Sequence, residues 1–175
     1  MSQQLPANVT LVAADKSKVY TTRPVAKMSR LINDMIGDSD DDDDEVEQEI
    51  PLPNIPNKFI LDRVMEFCSK HVEDPLQEIE KPLKSNKLSE VTNAWDAEFM
   101  NLDQDSIFDM ILAANYLDIP SLLDLACAGV ACKMKGKNTE QIRQEFNIIN
   151  DFTPEEEEEV IAETKWCDET AANLR

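Results

Sequence analysis

The feature that most constrains the fold of this chain is a change in the spacing of its apolar residues near the start. Val9, Leu11 and Ala13 alternate with polar neighbours, and Val19 and Tyr20 follow a polar turn, which predicts a short β-hairpin. The next apolar residues fall on one stripe of a helix that ends at a glycine: Val25, Met28, Ile32 and Met35. The hairpin therefore has a helix to pack against. Three glycines in 175 residues leave few tight turns, so we expect a helix-rich chain.

The segment 38–49 cannot take part in that core, because nine of its twelve residues are acidic. We predict that it is a loop. Asp40, Asp42 and Asp44 have the spacing of the first three ligands in a calcium-binding EF-hand loop. However, Glu45 stands where that loop needs glycine and Pro51 where it needs glutamate, so we predict no metal site there.

The charge of the chain excludes several functions. Seventeen Lys and Arg against 36 Asp and Glu give a net charge of −19, which would repel nucleic acid unless one face carried a basic stripe. The longest uncharged apolar stretch, from Leu125 to Cys132, is much shorter than the roughly 20 residues of a membrane span. We therefore expect a soluble, unsecreted protein with neither nucleic acid nor a membrane as a partner.

The residues that could carry catalysis or bind a metal are few: Cys68, Cys127, Cys132, Cys167 and His71. The cysteines form no C-x-x-C pair, and we predict that they are buried and reduced. Cys68 and His71 have a spacing that offers two ligands, but a structural zinc site needs four. No activated nucleophile has a visible partner either, so we expect no enzyme, metal or cofactor.

The middle of the chain contains an edge strand, a helix and a linker. Ile50 to Ile55 is an apolar alternation interrupted by prolines, which predicts an edge strand. A helix is expected from about Asn57 to His71, where the histidine is more consistent with a hydrogen-bonded C-terminal residue than with a catalyst. Residues 73–94 contain two prolines and no clear period, which predicts a variable, mobile linker. The expected buried face of the helix is Ile60, Val64, Phe67, Cys68 and His71.

Two long helices are predicted after the linker. The stretch from Ser106 to Leu117 is apolar nearly all round, as expected of a helix enclosed by others. Asp118 is expected to cap the next helix, with Pro120 in its first turn, and Gly136 to end it.

The C-terminal part begins with two capping boxes. Asn138 with Gln141 and Thr153 with Glu156 have the required spacing, and Pro154 occupies a first helical position. The helix that follows Pro154 has few apolar residues to bury, so we predict that the C-terminal region is partly mobile until a partner covers it. The large apolar residues after Glu155 are Val160, Ile161 and Trp166.

Several motifs in register resemble those of a known family over nearly the whole chain except the linker. They are Pro51–Asn54, Trp95-Asp96, Asp103-Gln104, Ile111–Ile119, Lys135–Lys137, Ile142-Arg143, Phe146–Ile148, Asn150–Glu157 and Trp166-Cys167. Together they resemble the S-phase-kinase-associated adaptor family, the Skp-type subunits of SCF ubiquitin ligases. The chain departs from the family pattern at Cys127–Cys132, which includes a mid-helix glycine. Its acidic run is also longer than usual.

The resemblance implies an α+β fold: a BTB/POZ-type domain over residues 1–134, with a small sheet plus helices, the acidic loop 38–49 and the variable linker 73–94. A C-terminal, F-box-binding helical extension over residues 135–175 would follow. The implied function is that of a non-catalytic adaptor. It would bridge a cullin scaffold to F-box substrate receptors in ubiquitin-dependent protein degradation.

The same resemblance assigns residues. Asn115 and Tyr116 match the cullin-contacting helix, and Pro154 matches a position that is hydroxylated in some members. The resemblance also leads us to expect a cytoplasmic and nuclear protein that forms a weak homodimer when free. The residues matching the F-box-contacting helices are Val130, Met134, Ile142, Phe146, Ile148, Phe152 and Trp166.

Alternatives remain open at this stage. Tyr116 would otherwise close the local core, with Asn115 merely as a cap. The acidic segments would suit an acidic chaperone that shields basic proteins. A related adaptor of the elongin type would serve another cullin, although the extension after Gly136 argues against it.

Overall fold

The computed structural model of the chain describes residues 9–37 and 48–172, with the side chains of 9–37 and 49–164. The chain divides after Gly136 into two compact units, which we call the first unit and the second unit. Its small sheet and helices confirm the predicted α+β class. The elements are β1 (Val9–Ala13), β2 (Lys18–Thr21), α1 (Arg23–Ala26), α2 (Arg30–Ile36), β3 (Gln48–Leu52), α3 (Lys58–His71), α4 (Ala94–Phe99), α5 (Gln104–Tyr116), α6 (Pro120–Met134), α7 (Thr139–Glu145) and α8 (Pro154–Ala172), with a 3-10 turn at Leu88–Glu90.

The three strands form one sheet in the order β2-β1-β3. β1 runs antiparallel to β2, with Leu11 opposite Val19, and parallel to β3, with Leu11 opposite Ile50. The predicted hairpin and edge strand are therefore confirmed. Pro51 lies in β3, where its missing N–H is tolerated because an edge strand is paired on one side only.

The predicted acidic loop 38–49 is wrong at its C-terminal end. Residues 48 and 49 begin β3, where Glu49 lies opposite Thr10. The Glu49 carboxylate also accepts a hydrogen bond from the Lys18 ammonium group at 2.8 Å. Pairing with β1 recruits these two residues into the sheet, which their charge alone does not reveal. Residues 38–47 lie outside the described part of the chain.

The single helix predicted between the hairpin and the acidic run is divided into α1 and α2. Ser29 lies at the break, where its hydroxyl accepts a hydrogen bond from the Ile32 N–H at 3.1 Å and donates one to the Leu117 carbonyl at 2.5 Å. Ser29 is thus the N-cap of α2. The interruption shifts the helical register, so Ile36 is buried while Met35 of the predicted stripe is 45% exposed.

α3 contacts α1, α5 and β2, and its predicted inner face is confirmed. The Asn57 side chain caps the helix by accepting a hydrogen bond from the Ile60 N–H at 3.1 Å. The Phe67 ring contacts the rings of His71 and Phe99, with centroids 4.3 and 5.7 Å away. The buried residues of the predicted face are Ile60, Val64, Phe67, Cys68 and His71.

The prediction of a mobile linker over residues 73–94 is wrong, because several apolar side chains of this segment pack against the core of the first unit. Ile79 is buried in the core, and Lys81 forms an ion pair with Asp124 of α6 at 3.0 Å. The Leu83 carbonyl accepts a hydrogen bond from the Lys135 ammonium group at 2.5 Å. The apolar residues of the segment recur at no helical or strand period, so the pattern did not reveal their burial.

The prediction that Asp118 caps α6 is wrong. Asp118 has a φ of +51° and follows the end of α5, whereas Ile119 is the N-cap of α6. This left-handed conformation, which aspartate tolerates, lets both Leu117 and Ile119 enter the core. Gly136, with a φ of +79°, follows the end of α6, as predicted for a helix stop.

The second unit consists of α7 and α8, and both predicted capping boxes are confirmed. Asn138 Oδ1 accepts a hydrogen bond from the Gln141 N–H at 2.8 Å, and Gln141 Oε1 accepts one from the Asn138 N–H at 3.0 Å. Thr153 and Glu156 make the equivalent bonds at 3.3 and 2.9 Å. Between residues 137 and 164 no side chain is buried. Within that range the unit therefore has no hydrophobic core.

Candidate functional site

α5 presents an apolar outer face that the sequence analysis did not predict. Phe108 is 39% exposed and Leu112 is 65% exposed, and Asn115 continues the same face one turn further along. The prediction of an enclosed helix is therefore wrong. Such an all-apolar sequence cannot show which side lacks a covering element. The opposite face is buried against the core through Ile107, Met110, Ala113 and Ala114.

The two predicted cullin-contacting residues differ in their surroundings. The Asn115 side chain is exposed, whereas Tyr116 is half-buried and packs against the hydrophobic core. The Asn115 carbonyl accepts a hydrogen bond from the Asp118 N–H at 3.2 Å. Tyr116 therefore contributes to the core, and Asn115 stands on the open α5 face, which consists of Phe108, Leu112 and Asn115.

Two of the predicted F-box-contacting residues lie near the end of α6 in the first unit. Val130 is half-buried and packs against the core, while Met134 is 41% exposed. α6 begins at Pro120, whose missing N–H costs nothing in a first turn, and its buried residues are leucines, alanines, Gly129 and Cys132. Met134 is thus available for a contact outside the unit, and Val130 is available only in part.

The other predicted F-box-contacting residues lie in the second unit. Ile142 and Phe146 are half-buried, whereas Ile148 and Phe152 are 54% and 46% exposed. Ile149, at 86% exposed, belongs to the same surface, and its position next to Ile148 was the only sequence signal for it. Trp166 belongs to α8, but its side chain lies outside the described part of the structure. This unit therefore presents apolar side chains to solvent from the α7–α8 loop and from α8, where Val160 and Ile161 are 41% and 61% exposed.

Curated proteins resemble the chain over almost its full length. A protein named S-phase kinase-associated protein 1 homolog, from Tetrahymena thermophila, is 45% identical over 165 residues, which are 94% of this chain and 96% of that protein. The chain belongs to the Skp1 family. Proteins named E3 ubiquitin ligase complex SCF subunit sconC, from Talaromyces stipitatus and Arthroderma benhamiae, are each 41% identical to it. They align with 94% and 97% of this chain and with 99% and 100% of their own lengths.

Two family models place the Skp1-family regions on the fold. The model described as Skp1 family, tetramerisation domain, a POZ domain, matches residues 7–73, from the hairpin through α3. The model described as Skp1 family, dimerisation domain, matches residues 120–167, from α6 into α8. The resemblance drawn from the sequence motifs is confirmed, and so is the BTB/POZ-type fold with C-terminal helices.

The buried His71 and Asp96 of this Skp1-family chain are bonded to each other and to neighbouring groups. His71 Nδ1 lies 2.7 Å from the Asp74 carbonyl, and its Nε2 lies 2.9 Å from Asp96 Oδ1. Asp96 also accepts hydrogen bonds from Thr92 and Asn93. His71 is therefore the hydrogen-bonded residue that the sequence predicted, and neither of its nitrogens is open to a substrate or a metal.

The cysteines of this Skp1-family chain divide into two kinds. Cys68 and Cys132 are buried, as predicted, and burial raises the pKa of the Cys68 thiol from 9.0 to about 12, which makes it inert at neutral pH. Cys127 is exposed, so the prediction of burial is wrong there, because its position on α6 faces outward. Cys167 lies outside the described side chains.

The described residues contain neither a candidate metal-binding cluster nor a candidate membrane span. The described side chains contain no group of three or more His, Cys, Asp or Glu that could hold a metal ion. No helix among the described residues is long and apolar enough to cross a membrane. Pro154 stands exposed at the first position of α8, where its ring is open to solvent.

Proposed function

We propose that this chain is the non-catalytic adaptor subunit of an SCF E3 ubiquitin ligase, and that it bridges a cullin scaffold to F-box substrate receptors. The observation that carries the proposal is that the second unit exposes Ile148, Ile149 and Phe152 while burying no side chain between residues 137 and 164. An apolar surface with no core beneath it is what a protein partner would cover. The sconC relatives are named as SCF subunits of an E3 ubiquitin ligase complex, which supports placing this chain in such a complex.

The cullin is assigned to the α5 face and Tyr116. Exposed Phe108 and Leu112 give this face an apolar centre, and Asn115 supplies polar hydrogen-bonding groups beside it. Changing Asn115 and Tyr116 together to Lys should weaken cullin binding at least tenfold, because two cations would enter one interface, and should leave F-box binding intact. Gln77→Lys, an exposed change in the linker, is the matched control. Unchanged cullin binding would contradict the assignment, whereas equal loss at both partners would indicate unfolding of the variant.

The F-box segment is assigned to the second unit, the end of α6 and Trp166. Phe152→Ala should reduce affinity for a synthetic F-box segment about tenfold or more in calorimetry, since an aromatic anchor at an interface often contributes 2 kcal/mol or more. Val72→Ala, an exposed apolar change in the first unit just after α3, serves as the control. Unchanged affinity in the Phe152 variant would contradict this assignment while leaving the cullin side untouched.

A chaperone for basic proteins is the competing function, favoured by the acidic run over residues 38–49 and by Glu155–Glu159. Deleting residues 38–47 separates the two. An adaptor should keep its F-box affinity, whereas a charge-based chaperone should lose most of its binding to histones and show steep salt sensitivity. The family match over residues 120–167 supports the adaptor, and it disfavours an elongin-type subunit without such an extension.

Four narrower points belong to the same proposal. The absence of catalysis is supported by the bonded state of His71 and the inert thiol of Cys68. We place the protein in the cytoplasm and the nucleus, to be checked by fractionation. We assign it weak homodimerisation when free, to be checked by sedimentation. Hydroxylation of Pro154 would add one oxygen to the intact mass of the native protein, and a mass without it would remove this point.

A further inference from the structure

The loop between α7 and α8, residues 146–153, exposes three large apolar side chains, and Ile149 is the most exposed one among the described residues of the second unit. Ile149 is 86% exposed, Ile148 is 54% exposed and Phe152 is 46% exposed. No buried side chain between residues 137 and 164 anchors this loop. A loop that exposes apolar groups over no core would sample many conformations unless other contacts fixed it. The contacts that fix it are polar.

The backbone of the loop is turned by local hydrogen bonds. The Ile148 N–H donates to the Arg143 carbonyl at 2.8 Å, and the intervening Asn147 has a φ of +52°. The Phe152 N–H donates to Asn150 Oδ1 at 3.3 Å. These bonds define each half of the loop separately, and they do not by themselves tie one half to the other.

Three side chains join the two halves to both helices. Arg143 of α7 and Asn150 of the loop both donate to the same oxygen, Glu157 Oε1 of α8, at 3.1 and 3.0 Å. The Arg143 guanidinium also lies over the Phe152 ring, 5.9 Å from its centroid. The side chains of Arg143 and Glu157 are only 19% and 38% exposed, so their ion pair is partly shielded from water.

We propose that the cluster of Arg143, Asn150 and Glu157 holds the loop in the conformation that receives an F-box segment. The three are positioning residues that act through Ile148, Ile149 and Phe152. This inference rests on the proposed function. A partner that meets a loop already in its bound shape avoids the entropy cost of ordering it, so loss of the cluster should weaken binding by about five- to tenfold.

The test compares neighbouring glutamates on α8. Glu157→Ala removes the shared acceptor, whereas Glu158→Ala removes the same charge and gains the same helix propensity at an exposed position with no ion-pair partner among the described side chains. A third variant exchanges the charges, Arg143→Glu with Glu157→Arg, and restores the ion pair. All are made in the full chain. Amide hydrogen exchange of Ile148 is measured in the free protein, and affinity for a synthetic F-box segment by calorimetry.

The proposal expects faster exchange of the Ile148 amide and five- to tenfold weaker binding in Glu157→Ala only. The exchanged pair should recover affinity to within about threefold of the unaltered chain. An unchanged exchange rate of the Ile148 amide in Glu157→Ala would show that the cluster does not hold the loop conformation, whatever the affinity for the F-box segment. Faster exchange with the affinity of Glu158→Ala would overturn its role in docking. If the unaltered chain binds no F-box segment, the proposed function fails, and so does the role of the cluster in docking. The exchange rates of the free protein still show whether the cluster holds the loop conformation.

Discussion

The two units of this molecule are stabilised in opposite ways. In the first unit, apolar side chains from the sheet and from the helices meet in one core, and every buried hydrophobic residue of the described chain lies between Val9 and Cys132. In the second unit, capping boxes and one shared carboxylate fix the local structure, and Ile148, Ile149 and Phe152 are exposed.

This difference indicates where binding partners are needed. A unit with its own core is stable because apolar surface is removed from water within it. The second unit buries no side chain between residues 137 and 164. It therefore gains stabilisation from apolar burial when another molecule covers Ile148, Ile149 and Phe152. In the proposed function, the first unit is the scaffold of the adaptor, and the second unit provides the surface that receives the F-box segment.

The largest expected difference in unfolding free energy is between two variants that each lose one phenylalanine ring, one in each unit. Phe67→Ala removes a fully buried ring that contacts His71 and Phe99, and should lower the free energy of unfolding by about 3–5 kcal/mol. Phe152→Ala removes a half-exposed ring and should change it by less than about 0.5 kcal/mol. Urea denaturation measures both. Similar losses in the two variants would contradict the comparison.

The next effect concerns polar groups in the core of the first unit. Asp96→Ala leaves His71, Thr92 and Asn93 without their buried acceptor, and should cost about 3 kcal/mol of unfolding free energy. Asp62→Ala deletes an exposed carboxylate that pairs with Lys58, and should cost less than about 1 kcal/mol. The pair is compared by urea denaturation at pH 7. A loss for Asp96 no larger than that for Asp62 would show that the buried network is dispensable.

A smaller effect appears as a pH dependence of the first unit. The folded-state pKa of Cys68 is about 12 against 9.0 in the unfolded chain, so its contribution to stability is complete below pH 9 and is lost as the pH rises towards 12. Between pH 8 and pH 10 this thiol should remove about 1 kcal/mol of unfolding free energy. Cys68→Ala should have a correspondingly shallower decline over that interval. Equal slopes in the two proteins would contradict this origin.

The smallest effect is a gain in the first unit. Gly129 lies buried within α6, and a Cβ added there would meet Leu88 and Met100 at 3.9 Å, which is ordinary contact. Gly129→Ala should therefore raise the unfolding free energy by about 0.5–1 kcal/mol. Thermal denaturation would show it as a higher midpoint. A lower midpoint would mean that α6 does not accept the methyl group.

Local signals in the sequence predicted most of the elements. The hairpin, the inner face of α3 and the two capping boxes each depend on neighbours within about one turn of helix or one strand pair, so their spacing was sufficient. The F-box candidates Ile148 and Phe152 were assigned by the family resemblance and not by spacing, and the structure places both at the surface.

The features that were missed depend on residues distant in sequence. Ser29 divides a helix because it bonds to Leu117, 88 positions away, and Ile79 is buried by elements that its own segment does not show. The exposure of Leu112 follows from which side of α5 other elements cover. Spacing along one segment carries none of this information, and the Arg143–Glu157 pair likewise spans two helices.

Hydrogen exchange of the full chain, with and without a synthetic F-box segment at micromolar concentration, tests the central claim most directly. The account predicts a complex in which new protection is confined to residues 130–166, while α3 and α5 of the first unit keep the exchange rates of the free protein. The absence of a complex, or new protection centred on Asn115 and the α5 face, would contradict it.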